Sequence, residues 1–182
     1  MKTARSKHIK WLLLLVVILI SIAASSCKSN IAKSRFEYAL HDFDAEITGT
    51  INGDKVSAKL QSRPSAGSEN YKIVLSFDAP ESLCGVVLSY RADGTGEARL
   101  GDVILREFNP DGFFEPFLPL LYSGEVASIT RIENGNTVVS VQNEGYDLEY
   151  VFLKGCEYPN SIKGTVENRE IELFVQSLDF VP

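Results

Sequence analysis

From Phe43 onward, apolar and polar residues alternate with a period of two, the pattern of strands that bury one face. In Phe43-Asp-Ala-Glu-Ile-Thr-Gly-Thr-Ile51 the odd positions are apolar or glycine and the even ones polar. Asn52-Gly53-Asp54 reads as a hairpin turn, after which Val56, Ala58 and Leu60 continue the apolar face. Tyr71, Ile73, Leu75 and Phe77 line one side of the next strand, which Asp78-Ala-Pro-Glu-Ser82 interrupts. Cys84 to Tyr90 reads as a strand, Ala92 to Gly96 as a turn, and Glu97 to Glu107 as one or two short strands. Beyond residue 126 the rhythm returns. Ala127–Glu133 and Thr137–Gln142 flank Asn134-Gly135-Asn136, a strong hairpin signal, and Tyr146, Leu148, Tyr150 and Phe152 alternate with Asp147 and Glu149. Ile162–Glu167 and Glu170–Gln176 form a last hairpin around Asn168-Arg169. About ten strands with short connections predict a mainly β domain built on an antiparallel sheet.

One stretch departs from this rhythm. Phe113-Phe-Glu-Pro-Phe-Leu-Pro-Leu-Leu-Tyr122 is strongly apolar, and its two prolines prevent one long regular helix. A short broken helix crossing the sheet is expected. It carries more apolar surface than a solvated loop holds, so it either completes the core or lids a cavity.

The first 27 residues follow a different grammar. Lys2, Arg5, Lys7 and Lys10 form a basic region, Trp11 to Ile20 an apolar run, and Ser21 to Ser26 a stretch of small residues: the order of a secretory signal peptide over residues 1–26. Cys27 follows directly and resembles the lipobox cysteine of bacterial lipoproteins, with Ala24 where that family usually has Leu. The resemblance implies a diacylglycerol thioether on Cys27, residues 27–35 as a lipidated tether and residues 36–182 as the exported domain, on the cell membrane and facing outside the cytoplasm. The alternative is an uncleaved N-terminal anchor, although the apolar run is shorter than the roughly 20 residues a span requires. The tether cations Lys28, Lys33 and Arg35 either touch anionic headgroups or are simply solvated.

Composition then narrows the chemistry. The 182-residue chain has a formal charge of −6. Without residues 1–26, 14 Lys and Arg face 24 Asp and Glu, a charge of −10 that repels phosphate backbones and argues against a nucleic-acid partner. His41 is the one histidine left, too few for most metal or triad chemistry. No G-x-S-x-G, H-E-x-x-H or phosphate-loop motif is present, so no catalytic residue, metal or cofactor is expected. The alternating acids Asp42, Asp44, Glu46, Asp147 and Glu149 resemble paired carboxylates but also suit a solvated strand face. Pairing of Cys84 with His41 as nucleophile and base finds no support in their spacing. Cys84 and Cys156 lie in an exported domain, where two cysteines often bridge; a disulfide would close a loop of about 72 residues and contribute around 4 kcal/mol. Two separate thiols remain the alternative.

The order of these pieces resembles that of LolA/LolB/LppX-like bacterial lipoproteins, relatives of the outer-membrane lipoprotein carrier, in their clostridial Gram-positive form. The likeness rests on Pro80-Glu-Ser-Leu-Cys-Gly85 as a "P-x-x-L-x-G" turn, Tyr158-Pro-Asn-Ser-Ile162 as a "P-x-x-I" link, and the apolar insert between two sets of strands. It implies a curved antiparallel sheet forming an unclosed half β-barrel over a helical lid, with an interior that holds acyl chains. Ile73, Leu75, Phe77, Leu88 and Tyr90 would then be the apolar wall, and Phe113, Phe114, Phe117 and Leu121 the lid, around a lipid or other apolar ligand. Some clostridial relatives act instead as non-catalytic protein-binding partners in spore germination, which makes an envelope or spore protein the alternative partner.

Overall fold

The computed structural model describes residues 32–182 apart from 68–69, 92, 94, 109–110 and 123–126, together with the side chains of these residues except 107, 108 and 111. The signal region, Cys27 and most of the tether lie outside the described residues.

Eleven strands form a single antiparallel sheet. In chain order they are β1 (Phe43–Ile51), β2 (Asp54–Ser62), β3 (Tyr71–Ala79), β4 (Val86–Arg91), β5 (Gly96–Leu100), β6 (Val103–Phe108), β7 (Ala127–Glu133), β8 (Asn136–Asn143), β9 (Tyr146–Phe152), β10 (Ser161–Val166) and β11 (Arg169–Phe180). Their spatial order is β6-β5-β4-β3-β2-β1-β11-β10-β9-β8-β7, so β6 and β7 are edges and the barrel is not closed. β1 and β11, far apart in sequence, join the two halves with Phe43 opposite Phe180 and Ile51 opposite Ile171. The glycine-containing hairpins form where the pattern placed them. Asn52 and Gly53 adopt φ of 51° and 85°, and Asn134 and Gly135 adopt 52° and 83°, the left-handed pair that matches strand twist. The last hairpin turns on Glu167 and Asn168, also left-handed, without a glycine.

Sheet curvature brings backbones close at two glycines. A Cβ on Gly49 would meet the Glu172 carbonyl oxygen at 2.0 Å, and one on Gly164, whose φ is +142°, would meet that of Asp147 at 2.0 Å. Any side chain there would force the strands apart.

The apolar insert is a helical turn, Asp111–Phe114, that runs into a 3-10 stretch, Glu115–Leu121, with Pro116 near its start and Pro119 inside it. This plug lies on the concave face. Phe114, Phe117 and Leu120 are buried in the same cluster as Leu75, Phe77, Leu88, Val139, Tyr150 and Leu173. Before β1, the 3-10 turn Glu37–Leu40 and the residues preceding it add Phe36 and Tyr38 to that cluster. Phe36 meets Tyr150 edge-on at 4.9 Å, Tyr122 at 5.3 Å and Phe152 at 5.6 Å, contacts that suit the ring quadrupoles.

Candidate functional site

The sheet has two distinct ends, and the register assigns every candidate to one of them. Ile51 of β1 sits beside Asp54 of β2 and Ile171 of β11, while Phe43 sits beside Ser62 and Phe180. About 26 Å of extended strand separates the two ends.

At the Ile51 end, the plug and the β1–β3 strand ends leave an apolar groove of about 290 Å³. Ile51, Val56, Phe77, Leu83, Phe113 and Phe117 supply its walls, and Arg169 stands at its rim. The Arg169 guanidinium donates to the Gly112 carbonyl and lies 3.6 Å from the Glu115 carboxylate, which ties the start of β11 to the plug. A second tie is buried: the Tyr150 hydroxyl donates to the Pro119 carbonyl at 3.1 Å.

The wall and lid residues expected from the sequence are brought together. Leu75, Phe77 and Leu88 are buried on the concave face, and Ile73 and Tyr90 pack against its margin. Phe77 meets Phe117 at 6.0 Å and Tyr90 meets Phe114 at 6.1 Å. Phe114 and Phe117 face inward and Leu121 is half-buried, whereas Phe113 is 44 % exposed beside the groove. Of these nine residues, Phe77, Phe113 and Phe117 line the groove. The others fill space as core. Arg169, Leu83 and Pro116 were missed as groove residues, because a turn arginine and a proline inside a helical stretch carry no sequence signal for a cavity.

At the Phe43 end, open clefts of about 540 and 610 Å³ lie around His41, Glu157 and Phe180, bordered by Asp42 and Ser65 on one side and by Arg35 and Cys156 on the other. They are larger than the groove and about as open, but their linings hold more polar surface, so an apolar ligand gains less from them. Arg35 is held there by the Thr137 hydroxyl at 3.2 Å and by the Phe152 ring.

The two-end geometry also decides the cysteines. Cys84 follows β3 at the Ile51 end, and Cys156 follows β9 at the Phe43 end. Both are free thiols, and the pairing entertained from the sequence is not formed. A disulfide needs Cα atoms within about 7 Å, far less than the strand length between these ends. Cys84 and His41 are kept apart in the same way. The alternating acids are engaged structurally: Asp44 with Arg63 at 2.5 Å, Glu46 with Lys59 at 3.4 Å and Glu149 with Arg131 at 3.2 Å. Among the described residues no cluster of His, Cys, Asp and Glu could hold a metal ion.

Six titrating groups among the described residues are shifted, among them Tyr38, Tyr150 and Asp42. Burial pushes the phenols of Tyr38 and Tyr150 well above the ordinary range. The Ser65 hydroxyl, at 2.7 Å, holds the Asp42 carboxyl below its ordinary range, helped by the Ser65 amide and the Arg63 charge.

No family model and no curated protein matches this chain. Solved structures do. An uncharacterized conserved protein from Thermus thermophilus aligns over 81 % of this chain and 83 % of its own, at 15 % identity and a TM-score of 0.51, and so shares the fold. A DUF1329 family protein from Desulfovibrio piger aligns over 86 % and 92 % at 12 % identity and a TM-score of 0.45. A LolA superfamily protein from Nitrosomonas europaea aligns over 85 % and 94 % at 10 % identity and a TM-score of 0.44.

Proposed function

We propose that this chain is a non-catalytic, extracytoplasmic lipoprotein, anchored to the membrane through Cys27, that holds an acyl chain or similar apolar ligand against its plug. The observation that carries this reading is the groove at the Ile51 end. Its walls are aliphatic and aromatic, it runs under the segment that covers the concave face, and a cation stands at its rim. Apolar area removed from water is worth about 25 cal/mol per Å², and the buried aromatic rings already define its shape. The rim guanidinium would meet a carboxylate or phosphate headgroup.

The test is native mass spectrometry of the full chain, exported in a bacterial host and purified in detergent, followed by organic extraction. A co-purifying acyl lipid that is lost in Phe113→Asp supports the proposal. Phe113 is partly exposed, so that variant keeps its fold. A chain free of lipid that also fails to bind a fluorescent fatty-acid probe overturns it.

A second reading, an interaction lipoprotein of the envelope or spore, is favoured by one observation. The interior is filled by side chains, with Phe36, Phe43, Phe117, Tyr150 and Phe152 each under 2 % exposed. Stoichiometric capture of one envelope protein by cross-linking in the host would support it; its absence would count against it.

A further inference from the structure

The two edges of the open sheet are built differently. β7 is blunted in the usual ways: Thr130, Arg131 and Glu133 lie along it, Arg131 is paired with Glu149, and its pairing with β8 shifts register between Ile129 and Arg131. β6 carries such features only in its second half, where Arg106 and Glu107 lie and its pairing with β5 shifts register at Gly96/Glu97; its first half has none. Val103, Ile104 and Leu105 are 72 %, 45 % and 55 % exposed in succession, so both faces of the strand present apolar side chains to solvent. Leu100, across the turn, is exposed as well. An uncovered apolar edge is a template for another strand.

The hairpin fixes which backbone groups are free. β5 and β6 are joined by the two-residue turn Gly101-Asp102, with Leu100 opposite Val103. In a two-residue hairpin the closing pair exchanges its own N–H and C=O groups. Val103 and Leu105 therefore direct their backbones toward β5, while Ile104 and Arg106 direct theirs outward. Pairing must use these outward groups.

We infer that β6 pairs antiparallel with β6 of a second copy of this chain, centred on Ile104. This register matches three things at once. Ile104 meets Ile104 of the partner subunit through outward N–H and C=O groups. Val103 stands opposite the partner's Leu105, on the concave side, where the pair prolongs the wall begun by Leu88 and Ala98. Asp102 stands opposite the partner's Arg106, twice by symmetry. Shifting the centre to Val103 or Leu105 keeps the backbone parity but sets Arg106 against Leu100 or Ile104. Centring on Arg106 opposes like charges, which is unfavourable in cross-strand pairs. Arg106 is free to turn: it is largely exposed and only 3.9 Å from Glu97 on its own β5. The contact is isologous, so it closes at a dimer instead of growing into a fibre.

The experiment is sedimentation velocity of the full chain in detergent across a concentration series. The wild type is expected to dimerise. Asp102→Arg alone, or Arg106→Asp alone, should weaken the dimer by about tenfold or more, since each places like charges opposite each other at both ends of the contact. The double reversal restores opposite charges and should return affinity to within about threefold of wild type. Ile104→Pro deletes an outward N–H that the β5 ladder does not use and should abolish the dimer while leaving the fold intact. A wild type that stays monomeric at every concentration, a dimer indifferent to the single reversals, or a double reversal as weak as the singles would each overturn the proposal. The inference does not depend on the groove's ligand: Phe113→Asp should leave dimerisation unchanged, and Asp102→Arg should leave lipid loading unchanged.

Discussion

Tyr150 and Pro119 are joined across the core, the phenol of β9 donating to a carbonyl in the middle of the plug at 3.1 Å. Tyr38 is equally buried, yet its hydroxyl has no partner among the described residues. The two tyrosines should therefore respond oppositely to the same change. Tyr150→Phe strands a buried carbonyl and should cost about 1–3 kcal/mol, whereas Tyr38→Phe removes an unsatisfied group and should leave stability unchanged or raised. Denaturant unfolding of both variants beside the wild type checks the pair. A Tyr38→Phe loss as large as that of Tyr150→Phe would contradict it.

The same phenols set an alkaline limit. Burial raises both in the folded chain, while in the unfolded chain they ionise near pH 10. Their contribution is fully present below about pH 10 and is lost as pH rises above it, because only the unfolded state can release those protons there. Unfolding followed by tyrosinate absorbance from pH 9 to 12 should show ionisation of these residues coinciding with loss of structure. Tyr38→Phe should soften the decline.

At the other extreme, Asp42 titrates below its ordinary range because the Ser65 hydroxyl favours its carboxylate. A depressed folded value means that the stabilisation is present above the ordinary carboxylate range and is lost as pH falls through the folded value. Ser65→Ala should move the Asp42 titration upward toward the ordinary value, readable by NMR of the side-chain carboxyl. No upward movement would mean that the hydroxyl is not the cause.

Arg169 fastens the plug at its entry. Arg169→Ala removes the Glu115 pair and the bond to the Gly112 carbonyl, but both partners are partly solvated, so global stability should fall by no more than about 1 kcal/mol. The effect should instead be local. Amide hydrogen exchange at Phe117 to Leu121 should accelerate by up to about fivefold, with the strands unaffected. Acceleration spread evenly over the sheet would show that Arg169 supports the whole domain.

The strands were legible because a half-buried sheet writes its period directly into the chain: Phe43, Ala45 and Ile47 alternate in sequence and are the buried positions of β1. The hairpins were legible where asparagine and glycine must adopt left-handed angles. Glu97–Glu107 left its strand count open because Leu100, Val103, Ile104 and Leu105 show no alternation. The reason is now visible: beyond Ala98, neither face of that hairpin covers the core. The plug was legible as apolar and broken, but composition alone could not separate core from lid. In the structure Phe114 and Phe117 are turned inward as core, and Phe113 lies exposed beside the groove. Arg169 could not have been found, since its importance comes from β11 returning beside a plug that lies 57 positions earlier at Gly112.

Both ends of the described chain lie at the Phe43 side of the sheet. Arg35 bonds Thr137 there, and Pro182 borders the same cleft as His41. The groove opens at the opposite side. A fluorophore, an affinity handle or a surface attachment placed at either terminus would therefore hold the domain in one orientation, with the groove mouth facing the bulk. Immobilised from either end, it should give identical kinetics with any ligand offered to the groove.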